Sequence, residues 1–199
     1  LAPPANAGSD DALCIGDTTQ LAGAGGPSYS WSPGTGLSAV DIADPLAFPS
    51  NTTTYFLQVT DGQGCIATDS VTITVNALPA ASAGSDISLC VGQQGSIGGS
   101  PTGPAGSTFL WAPGTGLNST TDPNPLADPT FTTTYVVGVQ DLNGCINTDT
   151  VIVNVNPLPS ISAGADTSIC TGSSVQLNAT GTGTFVWSPT TGLSDPNVE

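Results

Sequence analysis

The chain contains no lysine, arginine, histidine or methionine. Without imidazole, ammonium or guanidinium groups it has no ordinary general base, no Schiff-base amine and no anion clamp, so catalysis is poorly served. DNA, RNA and anionic lipid are poor partners on the same ground, because each is bound by cationic side chains that displace counterions. Side-chain salt bridges and lysine–asparagine isopeptide cross-links are excluded, and there is no site for trypsin. Charged residues make up 8% of the chain and all of them are acidic, for a net charge of −15. Solubility therefore rests largely on Ser, Thr and Asn. No apolar run reaches the roughly 18 residues of a membrane-spanning helix. The chain does not open on Met and carries no signal peptide, and it reads as a piece of something longer. No stretch has helical period. High net charge suggests disorder, but regular apolar alternation argues for a folded β protein.

What is present is one phrase, three times. Trp31-Ser-Pro-Gly-Thr-Gly-Leu37 returns as Trp111-Ala-Pro-Gly-Thr-Gly-Leu117 and as Trp187-Ser-Pro-Thr-Thr-Gly-Leu193. An aromatic residue stands two places before each Trp (Tyr29, Phe109, Phe185). That spacing puts both rings on one face of a strand, since strand side chains alternate. The turn residues that follow then break the strand. The phrases lie 80 and 76 residues apart, long for a solenoid repeat and right for a small β-domain. Three modules follow, 1–76, 77–156 and 157–199, the third holding only the first half of the pattern.

Each module opens on an Ala-Gly-x-Asp segment (Ala7–Asp10, Ala83–Asp86, Ala163–Asp166) and reaches a Cys four residues after the Asp. A second strand is clearest in the third module, with Val175, Leu177 and Ala179 inward; Leu21 and Ile97 hold the Leu177 position. The second module carries a four-residue insertion within Gly98–Gly106, read as a loop. Asp44-Pro-Leu-Ala and Asn124-Pro-Leu-Ala are Pro-broken edges. Thr52-Thr-Thr-Tyr55 and Thr132-Thr-Thr-Tyr135 open strands whose Tyr55, Leu57, Val59 and Tyr135, Val137, Val139 point inward. Hairpin turns at Asp61–Cys65 and Asp141–Cys145 lead to last strands with Val71, Ile73, Val75 and Val151, Val153, Val155 inside. About seven short strands, a central Trp and a Tyr opening a late strand predict an all-β, immunoglobulin-like sandwich in each module. Trp31, Trp111, Trp187, Tyr55 and Tyr135 are its core landmarks. The links Asn76–Ala80 and Asn156–Ser160 are short, Pro-containing and stiff, so the modules line up head to tail.

Five cysteines, Cys14, Cys65, Cys90, Cys145 and Cys170, recur at fixed places in the repeat. None has the spacing of a zinc or redox motif, which leaves disulfides and an oxidising, extracellular setting. Two pairings stay open. Within modules, Cys14–Cys65 and Cys90–Cys145 would leave Cys170 over. Yet Cys14 and Cys65 lie near opposite ends of one sandwich, roughly 20 Å or more apart at about 3.3 Å per residue. A disulfide needs Cα atoms within about 7 Å. Between neighbours, Cys14–Cys145 would bridge the junction, with Cys65 awaiting a preceding module and Cys90 and Cys170 later ones. Either bond contributes on the order of 4 kcal/mol by loop entropy.

The combination W-S-P-x-T-G-L, T-T-T-Y-x-x-x-V-x-D-x-x-G-C, a D-S-V or D-T-V start to the last strand, N-P-L-P and A-G-x-D-x-x-x-C-x-G resembles the tandem Ig-like/PKD-like repeats of Bacteroidota cell-surface proteins. Giant gliding-motility adhesins and other type IX-secreted proteins carry such repeats. The resemblance covers the whole chain. It implies a stiff stalk or filament outside the cell, with further copies of the module as neighbours, and names no ligand. The half-sandwich in 157–199 calls for completion, by a continuing chain or by strands from another copy, which would build a filament. The alternative is a ligand- or carbohydrate-binding accessory module of a secreted multidomain protein. Phe48, Phe56 and Phe131 are the aromatic residues outside core positions that such a role would use.

Two further kinds of site are open to test. Carboxylates with no basic neighbours repel unless a cation intervenes, and Ca²⁺ takes oxygen ligands. Asp10, Asp11, Asp17, Asp61 and Asp69 are candidates, against the plainer reading as solvated turn residues, which the recurrence of Asp10 as Asp86 and Asp166 favours. Asp17-Thr-Thr, Asp69-Ser-Val and Asp149-Thr-Val resemble the O-glycosylation signal of Bacteroidota, with Thr18, Ser70 and Thr150 as acceptors.

Overall fold

The computed structural model describes residues 3–197, so the outermost residues of the first and third modules lie outside it. Its regular structure is all β, in two copies of one architecture. The first comprises β1 (Asp11–Cys14), β2 (Thr19–Gln20), β3 (Ser28–Ser32), β4 (Leu46–Ala47), β5 (Thr53–Thr60) and β6 (Ile66–Asn76). A four-stranded sheet in the order β1-β6-β5-β3 packs on the two-stranded pair β2–β4. Strand β5 is antiparallel to β3 and β6, and β1 runs parallel to β6. The second copy repeats this with β7 (Ile87–Cys90), β8 (Gly95–Ser96), β9 (Thr108–Ala112), β10 (Leu126–Ala127), β11 (Thr133–Gln140) and β12 (Ile146–Asn156), in sheets β7-β12-β11-β9 and β8–β10. A first strand laid parallel on the last, and a Trp strand beside a Tyr strand, define the architecture. It is an immunoglobulin-like sandwich, twice.

The register turns the apolar alternation into a core. Trp31 sits opposite Leu57, and Tyr55 opposite Val71. Leu57, Val59 and Ile73 are enclosed with them, while Phe56 between them faces solvent. Each such side chain stabilises by about 1.5–3 kcal/mol on burial. The polar atoms of the two large rings are satisfied. The indole N–H groups of Trp31 and Trp111 donate to the carbonyls of Ile42 and Asp122, both at 2.9 Å. The phenols of Tyr55 and Tyr135 donate to the carbonyls of Thr35 and Thr115 at 3.0 and 2.8 Å. Those carbonyls belong to the Trp phrase itself. Its glycines, Gly36 and Gly116, have φ of +76°, and a Cβ there would meet the Tyr hydroxyl oxygens at 3.0 and 2.9 Å. The phrase therefore recurs because strand, turn and tyrosine lock one another.

The opening segment is tied to the last strand by carboxylates. Asp69 accepts from the Ala7 amide and Asp10 from the Thr72 amide, each at 2.8 Å. Asp149 and Asp86 do the same for Ala83 and Ile152. The insertion in the second module is more than a surface loop. Thr102 is buried within it and its hydroxyl donates to the Pro123 carbonyl at 2.7 Å.

The third module differs from expectation. Residues 157–197 hold only β13 (Ile161–Ser162) and β14 (Thr180–Gly181), paired antiparallel. Val175 is exposed, Leu177 and Ala179 are half-buried, and none of the three lies in a strand. Trp187 is half-buried and outside regular structure, so it is not a core residue as Trp31 and Trp111 are. The local loop survives, since the Trp187 amide donates to Pro196 as Trp31 does to Val40. The reason is the missing rest of the sheet: Trp31 and Trp111 pair with β5 and β11, and residues 157–199 contain no counterpart of those strands.

Candidate functional site: the stapled junction

The candidate site lies where the two sandwiches meet. Strand β1 ends at Cys14 because it stops pairing with β6 at Asn76, the last residue of that strand. The Ile15 amide closes on the Asn76 carbonyl at 2.8 Å, and the chain turns through Gly16 at φ +96°. Cys14 is thus fixed at the end of the first sandwich from which the link to the second departs. Asp11 braces this edge, accepting from the Thr19 hydroxyl at 2.6 Å and the Ala12 amide at 2.8 Å.

On the other side stands the hairpin Asp141–Cys145. Asp141 accepts from the amides of Asn143 and Cys145, both at 2.9 Å, which holds the Cys at the start of β12. Asn147 donates to the Pro79 carbonyl in the link at 2.9 Å, bringing this hairpin to the near end of the second sandwich. Cys14 and Cys145 are joined, with Cα atoms 5.6 Å apart across 131 residues of sequence. Asn143 overhangs an open groove beside the bond, lined by Asp11, Cys14 and Asp17. Of the two pairings open from sequence, the one between neighbours forms, and Cys14–Cys65 and Cys90–Cys145 do not. Cys65, Cys90 and Cys170 are free and exposed, which removes the within-module partners of Cys65 and Cys90 and matches the between-neighbours pairing, in which all three have no partner in this chain. No cysteine of the Cys145 type follows Cys145, and none of the Cys14 type precedes Cys14.

The five candidate calcium ligands are not brought together. Asp10 is held by the Thr72 amide of β6 and Asp69 by the Ala7 amide of the opening segment, Asp11 by Thr19 and Ala12, and Asp61 by the amides of Gln63 and Cys65 at 2.8 Å. Asp17 is exposed on the turn after Cys14. Among the described residues no group of three or more carboxylate, thiol or imidazole side chains is placed to hold a metal ion. Their hydrogen bonds give them separate tasks: Asp61 closes a turn, while Asp10 and Asp69 tie the opening segment to β6. Thr18, Ser70 and Thr150 are all exposed, Ser70 and Thr150 at equivalent points of β6 and β12. Phe48, Phe56 and Phe131 are exposed too, but lie at unrelated points of the repeat.

The same hydrogen bonds set the response to pH. The amides of Ala7 and Ser70 hold the Asp69 carboxyl below its ordinary value of 3.8, and the Thr19 hydroxyl with the Ala12 amide does so for Asp11. A carboxyl depressed on folding stabilises the native state above its unfolded pKa and loses that contribution as pH falls through the folded one. Burial raises the phenols of Tyr55 and Tyr135 above 10.0, so their contribution is present below that pH and lost above it. No His titrates between. The urea midpoint is therefore expected to be flat from about pH 5 to 8 and to fall on acidification below about 4. Asp69→Asn should shrink the acid-side fall; a midpoint that varies through the neutral range would contradict this assignment.

No protein-family model matches the chain, and no curated protein matches it. Among solved structures similar to it are titin domains z1z2 in complex with telethonin, 18% identical, covering 79% of this chain and 98% of that one at a TM-score of 0.33. The insect immune protein hemolin is 18% identical, with 77% and 47% covered and a TM-score of 0.41. Sidekick-1 immunoglobulin domains 1–4 are 12% identical, with 80% and 52% covered and a TM-score of 0.33. The chain spans about half the length of the hemolin and Sidekick-1 chains.

Proposed function

We propose that this chain is a stretch of a non-enzymatic, load-bearing array outside the cell: a stiff stalk or filament of a bacterial surface adhesin built from immunoglobulin-like modules. The observation that carries the reading is the Cys14–Cys145 bond. A single link lets one domain swivel on the next; a second covalent connection at the same junction leaves far fewer directions of bending. A disulfide that persists also requires an oxidising compartment. The absence of Lys and Arg fits a fibre exposed to proteases. The resemblance of its motifs to those of Bacteroidota type IX-secreted repeats supports this reading, on which Thr18, Ser70 and Thr150 would carry glycans and further modules would extend the rod or assemble filaments.

Small-angle X-ray scattering of the chain with and without a phosphine reductant tests the reading. The oxidised chain is expected to give one fixed maximal dimension, and reduction a broader distance distribution. Equal breadth in both states would remove the stapled stalk, and saturable glycan binding lost on replacing Phe48, Phe56 and Phe131 by Ala would favour the accessory-module role.

A further inference from the structure

We infer that Cys90 and Cys65 are the two halves of further staples of the same kind, Cys90 receiving a Cys145-type residue of a following sandwich and Cys65 a Cys14-type residue of a preceding one. The inference rests on the stapled-array reading and extends it from one junction to a continuous ladder.

The backbone settings of the two match those of the bonded pair. Cys90 ends β7 opposite Asn156, as Cys14 ends β1 opposite Asn76. The amide of the next residue closes on that Asn carbonyl in both, Val91 on Asn156 at 3.0 Å and Ile15 on Asn76 at 2.8 Å. The Cys14 and Cys90 carbonyls each accept from the amide three residues on, and Cys170 does the same from Ser173. Cys65 is held by Asp61 as Cys145 is by Asp141. Three things differ: Cys145, bonded, is 0% exposed, whereas Cys65 is exposed; the Cys90 amide donates to the Gln93 side chain at 3.0 Å, where Asp17 follows Cys14; and Ala67 stands where Asn147 holds the link beside Cys145. The unbonded position is the bonded one with its neighbour removed. The occupant is therefore a sandwich of this same repeat.

Bond formation needs an oxidant, and a low-molecular-weight disulfide suffices. One thiolate attacks it, releasing a small thiol and leaving a mixed disulfide; the second protein thiolate displaces the other small thiol and closes the bond. The two protons end on the two small thiols released.

A ladder of this kind has a mechanical consequence. Cys65 to Cys90 and Cys145 to Cys170 each span 25 residues (90 − 65 and 170 − 145). The first of these stretches consists of β6, the link and the run into β7, largely extended backbone. At about 3.3 Å per residue it covers roughly 80 Å, about the length of two sandwiches whose 11-residue last strands each span roughly 36 Å. Covalent bonds alone would then run the length of the fibre along strands already extended, and no sandwich need unfold under load.

The test uses the full chain with a second copy of residues 77–156 inserted between Asn156 and Pro157, folded with glutathione disulfide and mapped without reduction. Two bonds are expected, Cys14–Cys145 and Cys90 to the inserted copy's Cys145, with Cys65, Cys170 and the inserted Cys90 reactive to maleimide. Cys90→Ser in the same chain should free the inserted Cys145 for labelling and leave Cys14–Cys145 intact. If Cys14–Cys145 forms while Cys90 stays free or pairs elsewhere, the ladder is wrong and the single staple stands. If Cys14–Cys145 is itself missing, the stapled array fails and the ladder with it.

Discussion

Pulled from its two ends, the oxidised chain is expected to lengthen by far less than its 199 residues allow. The Cys14–Cys145 bond spans 131 residues, so force entering at Cys14 passes through sulfur to Cys145 and bypasses nearly all of both sandwiches. At about 3.4 Å per residue, reduction should release roughly 450 Å of additional contour. Single-molecule force spectroscopy with and without reductant reads this directly. Cys14→Ser should give the longer trace under both conditions. If oxidised and reduced chains extend equally, the bond is absent in solution and the load path described above does not exist. The effect is large because a cross-link between neighbours shields a pair of domains, whereas one within a module would shield only part of one.

Replacing Trp111 by alanine should unfold the second sandwich and leave the first standing. The indole is 2% exposed, packed in one cluster with Tyr135, Val137, Val139 and Val153, and its N–H is bonded to Asp122. Removing it costs about 3–5 kcal/mol through lost burial and the cavity left behind. That is a large share of the roughly 4–12 kcal/mol available to a domain of about 80 residues. Hydrogen exchange followed by mass spectrometry should show loss of protection over β7–β12 and retention over β1–β6. Phe131→Ala is the control: that ring is 79% exposed, and its loss should change stability by no more than about 0.5 kcal/mol. Retained protection in the Trp111 variant would mean that the indole does not organise the core.

Much of this molecule can be read from residue order. A period of 2 in Tyr55-Phe-Leu-Gln-Val59 states which side of the strand is enclosed, and burial along β5 follows it residue for residue. The Trp phrase announces a strand and its turn, since Pro and Gly leave the backbone few alternatives. The Ala-Gly-x-Asp segment and the Asp-Ser/Thr-Val start of the last strand are legible as repeats. Their meaning is not, because they are two ends of one strap, 62 residues apart where Asp69 meets the Ala7 amide, and spacing carries no record of that encounter. Trp187 shows the limit from the other side: the local phrase and its loop form, but enclosure of the ring needs strands that residues 157–199 do not contain.

The cysteines mark the boundary most clearly. Strand lengths along the sequence place Cys14 and Cys65 at opposite ends of one sandwich, which argues against their union. They do not say which residue of the next domain faces Cys14. That depends on how the second sandwich is turned about the link, to which Asn147 is tied through the Pro79 carbonyl. Local backbone chemistry, being short-ranged, is written in neighbouring residues; the rotation of one domain upon another arises from contacts between residues far apart in the chain.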